Sequence, residues 1–227
     1  MADFYVILPA GGIGKRMNTS VPKQLLEYNG KPIFYYTLRR FYNISGVERI
    51  VIPVFEEGFG YFKDIIKDFN FDDRVDLVIG GRRRQDSVFN ALSTISEDRD
   101  GFVLIHDIVR PFISQELILD IMERVQELKA VIPAIPVKDT IKIIDNGVVR
   151  NTPDRNLLFA VQTPQAFQIG ILYDCLQKVN EANIDITDDA MALEYCNKKV
   201  YIVEGDEKNI KITTQSDLKY LKELDIV

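Results

Sequence analysis

The chain has 227 residues, 46% of them hydrophobic and 27% charged, enough for one α/β domain with a full core or, at the limit, two small ones. A formal net charge of −6 excludes the broad basic surface of a generic nucleic-acid binder, so an anionic ligand must be met by cations gathered locally. No apolar run approaches the ~18 residues of a membrane-spanning helix.

In chain order, the predicted strands are short, β-branched and apolar on both faces: Tyr5–Leu8, Arg49–Val54, Val75–Ile79, Phe102–Ile105, Ala130–Ala134 and Lys199–Val203. Apolar residues recur at helical spacing over Ile33–Tyr42, Tyr61–Phe69, Asp86–Ile95, Gln115–Leu128, Gly170–Asn180 and Asp188–Tyr195. Short strands without a polar face, alternating with helices, predict an α/β fold with a mostly parallel sheet flanked by helices. One stretch departs from this alternation. Thr140–Ile144 and Val148–Thr152 flank Asp145-Asn146-Gly147, which predicts a β-hairpin. A two-stranded ribbon is marginal alone, so it must lean on the domain or on a second subunit, and both stay open at this point. The first strand starts within the opening residues, which predicts no signal peptide. Cys175 and Cys196 lack CxxC or metal-ligand spacing and fit a reducing, cytoplasmic setting.

Ligands of such sheets bind beyond the carboxyl ends of strands, where ILPAGGIGKRM (Ile7–Met17) lies. Glycines between a strand and a helix let backbone N–H groups approach an anion. Gly11-Gly12-Ile13-Gly14-Lys15-Arg16 lacks the third glycine of the dinucleotide fingerprint, and Arg16 stands where a P-loop needs Ser or Thr. Lys15, Arg16 and Lys23 follow closely and suggest a polyphosphate site, against the alternative of a solvated basic turn.

Seven motifs in order extend the pattern: PAGGIGKRMNTSVPKQLLEYNGKPIFYYTL (Pro9–Leu38), GGRRRQDSV (Gly80–Val88), HDIVRPF (His106–Phe112), PVKDTIK (Pro136–Lys142), RNLLFAVQTPQAF (Arg155–Phe167), ITDDA (Ile186–Ala190) and NIKIT (Asn209–Thr213). Together, over essentially the whole chain, they resemble the 2-C-methyl-D-erythritol 4-phosphate cytidylyltransferase family of polyol-phosphate cytidylyltransferases. The resemblance implies one Rossmann-like nucleotidyltransferase domain over residues 1–227, with a protruding hairpin arm at about 138–155. It also implies transfer of a cytidylyl group from CTP to a polyol phosphate with release of pyrophosphate, Mg²⁺ as cofactor, and a homodimer joined through the arm.

By the same resemblance, Ala10, Gly11 and Gly12 place N–H groups on the CTP phosphates, while Arg16 and Lys23 stabilise the transition state. Gly81, Arg82 and Ser87 read cytosine and ribose. Arg155 and Lys211 hold the phosphate of the second substrate, and Thr140 and Thr163 offer it hydroxyls. Asp107, directly after a predicted strand, is the metal candidate, because Mg²⁺ commonly takes one or two carboxylates with substrate phosphates and water. The attacking phosphate monoester has a second pKa near ~6 and is already ionised. No general base is required, and fixed cations and N–H donors carry the catalysis. The single histidine, His106, reads as a packing residue, Arg110 as structural, and Thr187 as the N-cap of a helix opening at Asp188-Asp189.

Three positions depart from the family pattern. Ile108 and Val109 replace small alanines and are expected to crowd the ribose or reshape its loop. Lys208 replaces an Asp before NIK, so a second metal carboxylate must come from Asp206, Glu207 or nowhere. Pro9-Ala10-Gly11 replaces a double alanine before the glycine. Two rival readings remain: a ribitol-5-phosphate cytidylyltransferase of wall-polymer synthesis, and a non-catalytic nucleotide-binding homologue.

Overall fold

The computed structural model describes residues 2–12 and 22–226; Lys15 and Arg16 lie outside the described residues. In chain order the elements are β1 (Phe4–Ile7), a 3-10 turn (Lys23–Leu25), β2 (Glu27–Tyr28), β3 (Lys31–Pro32), α1 (Ile33–Tyr42), β4 (Val47–Val54), α2 (Phe59–Asp68) and β5 (Val75–Ile79). They continue with α3 (Arg84–Ser93), β6 (Phe102–Ile105), α4 (Gln115–Leu128), β7 (Ala130–Pro136), β8 (Ile143–Asp145) and β9 (Val148–Asn151). A 3-10 turn (Arg155–Leu157) then leads to β10 (Phe159–Val161), β11 (Gln165–Gln168), α5 (Ile169–Glu181), α6 (Ala190–Tyr195) and β12 (Tyr201–Glu204).

Eight strands form one sheet in the order β10-β7-β11-β6-β1-β4-β5, with β12 also paired to β7. The pairings of β1 with β4 and β6, β4 with β5, and β12 with β7 are parallel. Because strand side chains alternate faces, each apolar strand feeds two cores. Phe4 and Val6 of β1, with Phe102 and Leu104 of β6, meet α1, α2 and α4 on one face. Ile7, Val103 and Ile105 meet α3, α5 and α6 on the other. This explains why these strands carry no polar face, and the architecture is the Rossmann-like one expected.

Several features differ from the sequence expectation. β10 and β11, inside RNLLFAVQTPQAF, are antiparallel strands of three and four residues, too short to carry a readable alternation. α3 begins at Arg84 rather than Asp86, because the Asp86 carboxylate accepts the Arg83 N–H at 3.0 Å and stabilises an earlier start. α6 begins at Ala190 rather than Asp188. Asp188, not Thr187, supplies the cap there: its Oδ1 accepts the Met191 N–H at 3.1 Å.

The hairpin turns through Asn146 (φ 50°) and Gly147 (φ 79°), two left-handed residues in succession as a tight two-residue hairpin requires. Its strands form a sheet of their own, and every residue of both is exposed. Val148 keeps 65% of its surface exposed and Ile144 61%. Among the described residues, these two strands pair only with each other and not with the main sheet.

Candidate active site

A cleft of about 260 Å³ opens beyond the carboxyl ends of β1, β5 and β6. The loop after β1 contributes Ala10, Gly11 and Gly12, and the turn that follows contributes Lys23 and Gln24. Gly81 and Arg82 enter from the loop between β5 and α3, Arg84 and Ser87 from the first turns of α3, and Asp107, Ile108, Val109 and Lys211 complete the wall. A smaller recess of about 170 Å³ is lined by Arg84, Asp107, Arg110, Thr163, Asp188 and Lys211. Arg84, Asp107 and Lys211 thus belong to both spaces.

β-pairing continues past β1: the Leu8 N–H donates to Val51 O at 3.0 Å, and the Ala10 N–H to Pro53 O at 2.9 Å. The Ala10 N–H is therefore spent on the sheet. Among the described residues the Gly11 and Gly12 N–H groups have no such partner, which leaves them to meet an anion. Ser87 sits between the two glycine loops. Its Oγ accepts the Gly81 N–H at 2.9 Å, and a Cβ at Gly11 would stand 3.3 Å from that oxygen. At Gly81 a Cβ would lie 2.3 Å from the Asp86 Cβ, so only glycine permits this approach.

Asp107 is the electrostatic centre. Its Oδ2 lies 2.8 Å from Lys211 Nζ and 3.2 Å from Arg110 Nε. Burial pushes the carboxyl upward, but Lys211, Arg84 and Arg110 outweigh it and hold the group well below the usual carboxylate range. Arg110 also donates to Asn209 O at 2.7 Å, joining the β6 loop to the NIKIT segment, as a structural residue would. The Asp107 N–H donates to Thr163 Oγ1 at 3.1 Å, and Thr163 Oγ1 stands 3.0 Å from His106 Nδ1. His106 Nε2 faces Arg110 O at 3.1 Å. A carbonyl only accepts, so Nε2 carries the ring proton and Thr163 donates to Nδ1. Burial lowers the His106 pKa to about 4. His106 is thus a neutral brace, and the Thr163 hydroxyl is engaged with it.

Three residues that sequence reasoning passed over hold this site. Arg84 forms a two-pronged pair with Asp189, Nη1 to Oδ1 at 3.0 Å and Nη2 to Oδ2 at 2.7 Å, and Asp189 is fully buried. Gln165 Oε1 accepts the N–H groups of Asp189 (3.0 Å) and Ala190 (3.2 Å), while its Nε2 donates to Asp188 Oδ2 at 2.8 Å. Gln24 Nε2 donates to Ala10 O at 2.7 Å and Gly12 O at 3.0 Å. The signal in each case was a polar residue inside a quoted motif, but residue type alone does not tell which of three consecutive arginines turns inward.

Two expected residues stand apart. Arg155 is exposed in its 3-10 turn and donates to Lys138 O at 2.8 Å; Thr140 is exposed at the base of the arm. Neither lines the cleft or the recess, so Arg155 and Lys211 do not converge there within one chain. The departures also resolve. Ile108 and Val109 are each 3% exposed and pack into the core, and both also line the cleft beside Asp107. Their carbonyls accept from Thr37 Oγ1 at 2.8 Å and the Ile212 N–H at 2.9 Å. Glu207 pairs with Lys138, and Asp206 Oδ1 accepts the Lys208 N–H at 2.8 Å. Neither supplies the site with a second carboxylate, and the described residues hold no cluster of three acidic, His or Cys side chains.

Comparison with known proteins agrees with this geometry. Residues 4–223 match the family described as IspD: 2-C-methyl-D-erythritol 4-phosphate cytidylyltransferase. A Clostridium botulinum (strain 657 / Type Ba4) protein of that name is 44% identical over 219 residues, covering 96% of this chain and 95% of its own. One from Clostridium perfringens (strain 13 / Type A) is 44% identical over 220 residues, 96% of each. The crystal structure of 4-diphosphocytidyl-2C-methyl-D-erythritol synthase from Anaerococcus prevotii superposes with a TM-score of 0.85 at 32% identity, covering 100% of this chain and 99% of that one. The enzyme from Francisella tularensis gives 0.84 at 33%, over 98% and 100%. With residues 4–223 matched by the family and relatives 44% identical over 96% of its length, the chain belongs to the 2-C-methyl-D-erythritol 4-phosphate cytidylyltransferase family.

Proposed function

We propose that this protein transfers the cytidylyl group of CTP to 2-C-methyl-D-erythritol 4-phosphate, releasing pyrophosphate, in non-mevalonate isoprenoid precursor synthesis. The observation that carries this reading is the pair of adjoining spaces that share Asp107 and Lys211; we assign the one under the glycine loop to the nucleotide triphosphate and the other to the polyol phosphate. Relatives named for the methylerythritol substrate, 42–46% identical over 93–96% of this chain, favour it over ribitol phosphate.

In the reaction an oxygen of the polyol phosphate attacks the α-phosphorus of CTP, and the bond to the β-phosphate oxygen breaks as pyrophosphate departs. The Gly11 and Gly12 N–H groups hold the phosphates, and Lys23 meets the charge that grows at the α-phosphate and leaving group. Arg16 is assigned the same task by its place in the motif. Gly81, Arg82 and Ser87 frame the base and ribose. Lys211 and Arg84 hold the incoming phosphate, and Thr163 fixes the Asp107 backbone.

Mg²⁺ fits the donor set. Asp107 is ionised, and its Oδ1 accepts no hydrogen bond from the described residues, while Oδ2 faces the cations. One carboxylate oxygen with nucleotide phosphates is an ordinary Mg²⁺ environment. When bound, the ion neutralises triphosphate charge.

The arm carries exposed Ile143, Ile144, Val148 and Val149, an apolar surface that a second copy would cover. We therefore read the protein as a homodimer in which Arg155 and Thr140 reach the recess of the partner subunit. No helix of the described residues is long and apolar enough to cross a membrane, and the unpaired thiols support a cytoplasmic setting.

The test is pyrophosphate release with CTP and Mg²⁺. Faster turnover with methylerythritol phosphate than with ribitol phosphate is expected. A reversed preference moves the assignment to wall-polymer chemistry, and no turnover with either leaves a binding protein.

A further inference from the structure

The glycine loop is not left to find its own shape. Gln24, in the 3-10 turn Lys23–Leu25, is only 2% exposed. Its single amide nitrogen donates both protons to the loop, one to Ala10 O at 2.7 Å and one to Gly12 O at 3.0 Å. In a planar trans peptide the C=O and the following N–H point in opposite directions. Drawing the Ala10 carbonyl toward Gln24 therefore turns the Gly11 N–H to the opposite side. The preceding donor, the Ala10 N–H, is tied to Pro53 O at 2.9 Å, so Ala10 is held at both its N–H and its carbonyl. A glycine segment is otherwise the most entropically free backbone available.

We propose that Gln24 is a positioning residue that presets the glycine loop as an anion-binding backbone before the nucleotide arrives, and so contributes specifically to affinity for the triphosphate. The inference rests on the reading of the cleft as a CTP site. Gln24 need not touch the reacting atoms: it prepays the ordering of the donors, which lowers the cost of binding. A glutamine at this place does what neither Glu nor Met can, because its primary amide presents two protons to two carbonyls from one neutral atom, where a carboxylate only accepts and a thioether has no proton to give.

The experiment compares Gln24→Met and Gln24→Asn with the unmodified protein by calorimetric titration of CTP and of cytidine, with Mg²⁺ and without the polyol. Loss of the two hydrogen bonds, one buried and one part-buried, is expected to weaken CTP binding by about 10-fold, with cytidine affinity changed less than about 2-fold. KM for CTP should rise while KM for the polyol phosphate stays constant. Equal losses for CTP and cytidine, or no loss for either, overturn the proposal. If Gln24→Met does not fold by circular dichroism, Gln24→Asn, which keeps the amide but is one methylene too short for both carbonyls, carries the same comparison. Failure of the unmodified protein to bind CTP would instead count against the functional reading.

Discussion

Arg84, in the first turn of α3, grips the buried carboxylate of Asp189 at the start of α6 with two hydrogen bonds, 3.0 and 2.7 Å long. The pair spans 105 residues of sequence, and Arg84 itself lines both the cleft and the recess. Asp189 is shielded from water, and burial alone would oppose the charge of Arg84, but Asp189 keeps the guanidinium protonated. Removing Arg84 strands a carboxylate in a low-dielectric interior. Arg84→Met should therefore destabilise the protein by about 3 kcal/mol, measured as a shift of the urea midpoint. Arg84→Met with Asp189→Leu should recover part of that loss, because the orphaned charge is gone. No loss in the single variant would show that water or another cation satisfies Asp189.

Lys23 lines the cleft beside the glycine loop. If its charge acts on the developing transition state, Lys23→Ala should lower kcat by about two to three orders of magnitude. The melting temperature should stay near that of the unmodified protein. A near-normal kcat with a raised KM for CTP would make Lys23 a ground-state contact only.

Arg155 lies on the arm and Lys211 on the recess wall. If the arm completes the site of a second copy, Arg155→Ala and Lys211→Ala are each nearly inactive alone. Mixed after co-refolding, they should recover about a quarter of the normal sites, because half the dimers are mixed and each has one intact site. Absence of recovery, or a monomeric mass by light scattering at micromolar protein, would reject the shared site.

His106 is neutral in the folded protein because burial holds its pKa near 4, against an ordinary value of 6.5. The unfolded chain therefore takes up the proton first as pH falls. The stability contributed by neutral His106 is complete above pH 6.5 and is lost progressively toward pH 4, by about 3 kcal/mol in all. Urea unfolding in a chelator between pH 7 and 5 should show this slope, and His106→Asn should flatten it. An unchanged slope in the variant would assign it to the carboxylates.

Much of the frame was legible in sequence, and for a physical reason. Strands such as Phe102–Ile105, buried on both faces, must be apolar throughout, and α1 and α4 end where their apolar spacing ends. Gly11, Lys23, Gly81, Asp107 and Lys211 meet in one cleft because motif spacing placed each on a loop at the same edge of the sheet. Local interactions moved the starts of α3 and α6, since a cap is a contact between particular side chains and not a pattern.

Sequence by itself thus determined the layered architecture, the family and the edge of the sheet that carries chemistry, because periodicity and motif order are properties of the chain. Tertiary structure alone decided how donors and charges are shared. It spent the Ala10 N–H on Pro53, turned Arg84 inward to Asp189, sent Ile108 and Val109 into the core, and left Arg155 on the arm. Each of these depends on which groups far apart in sequence come within hydrogen-bonding or van der Waals reach, and such distances exist only once the chain has folded.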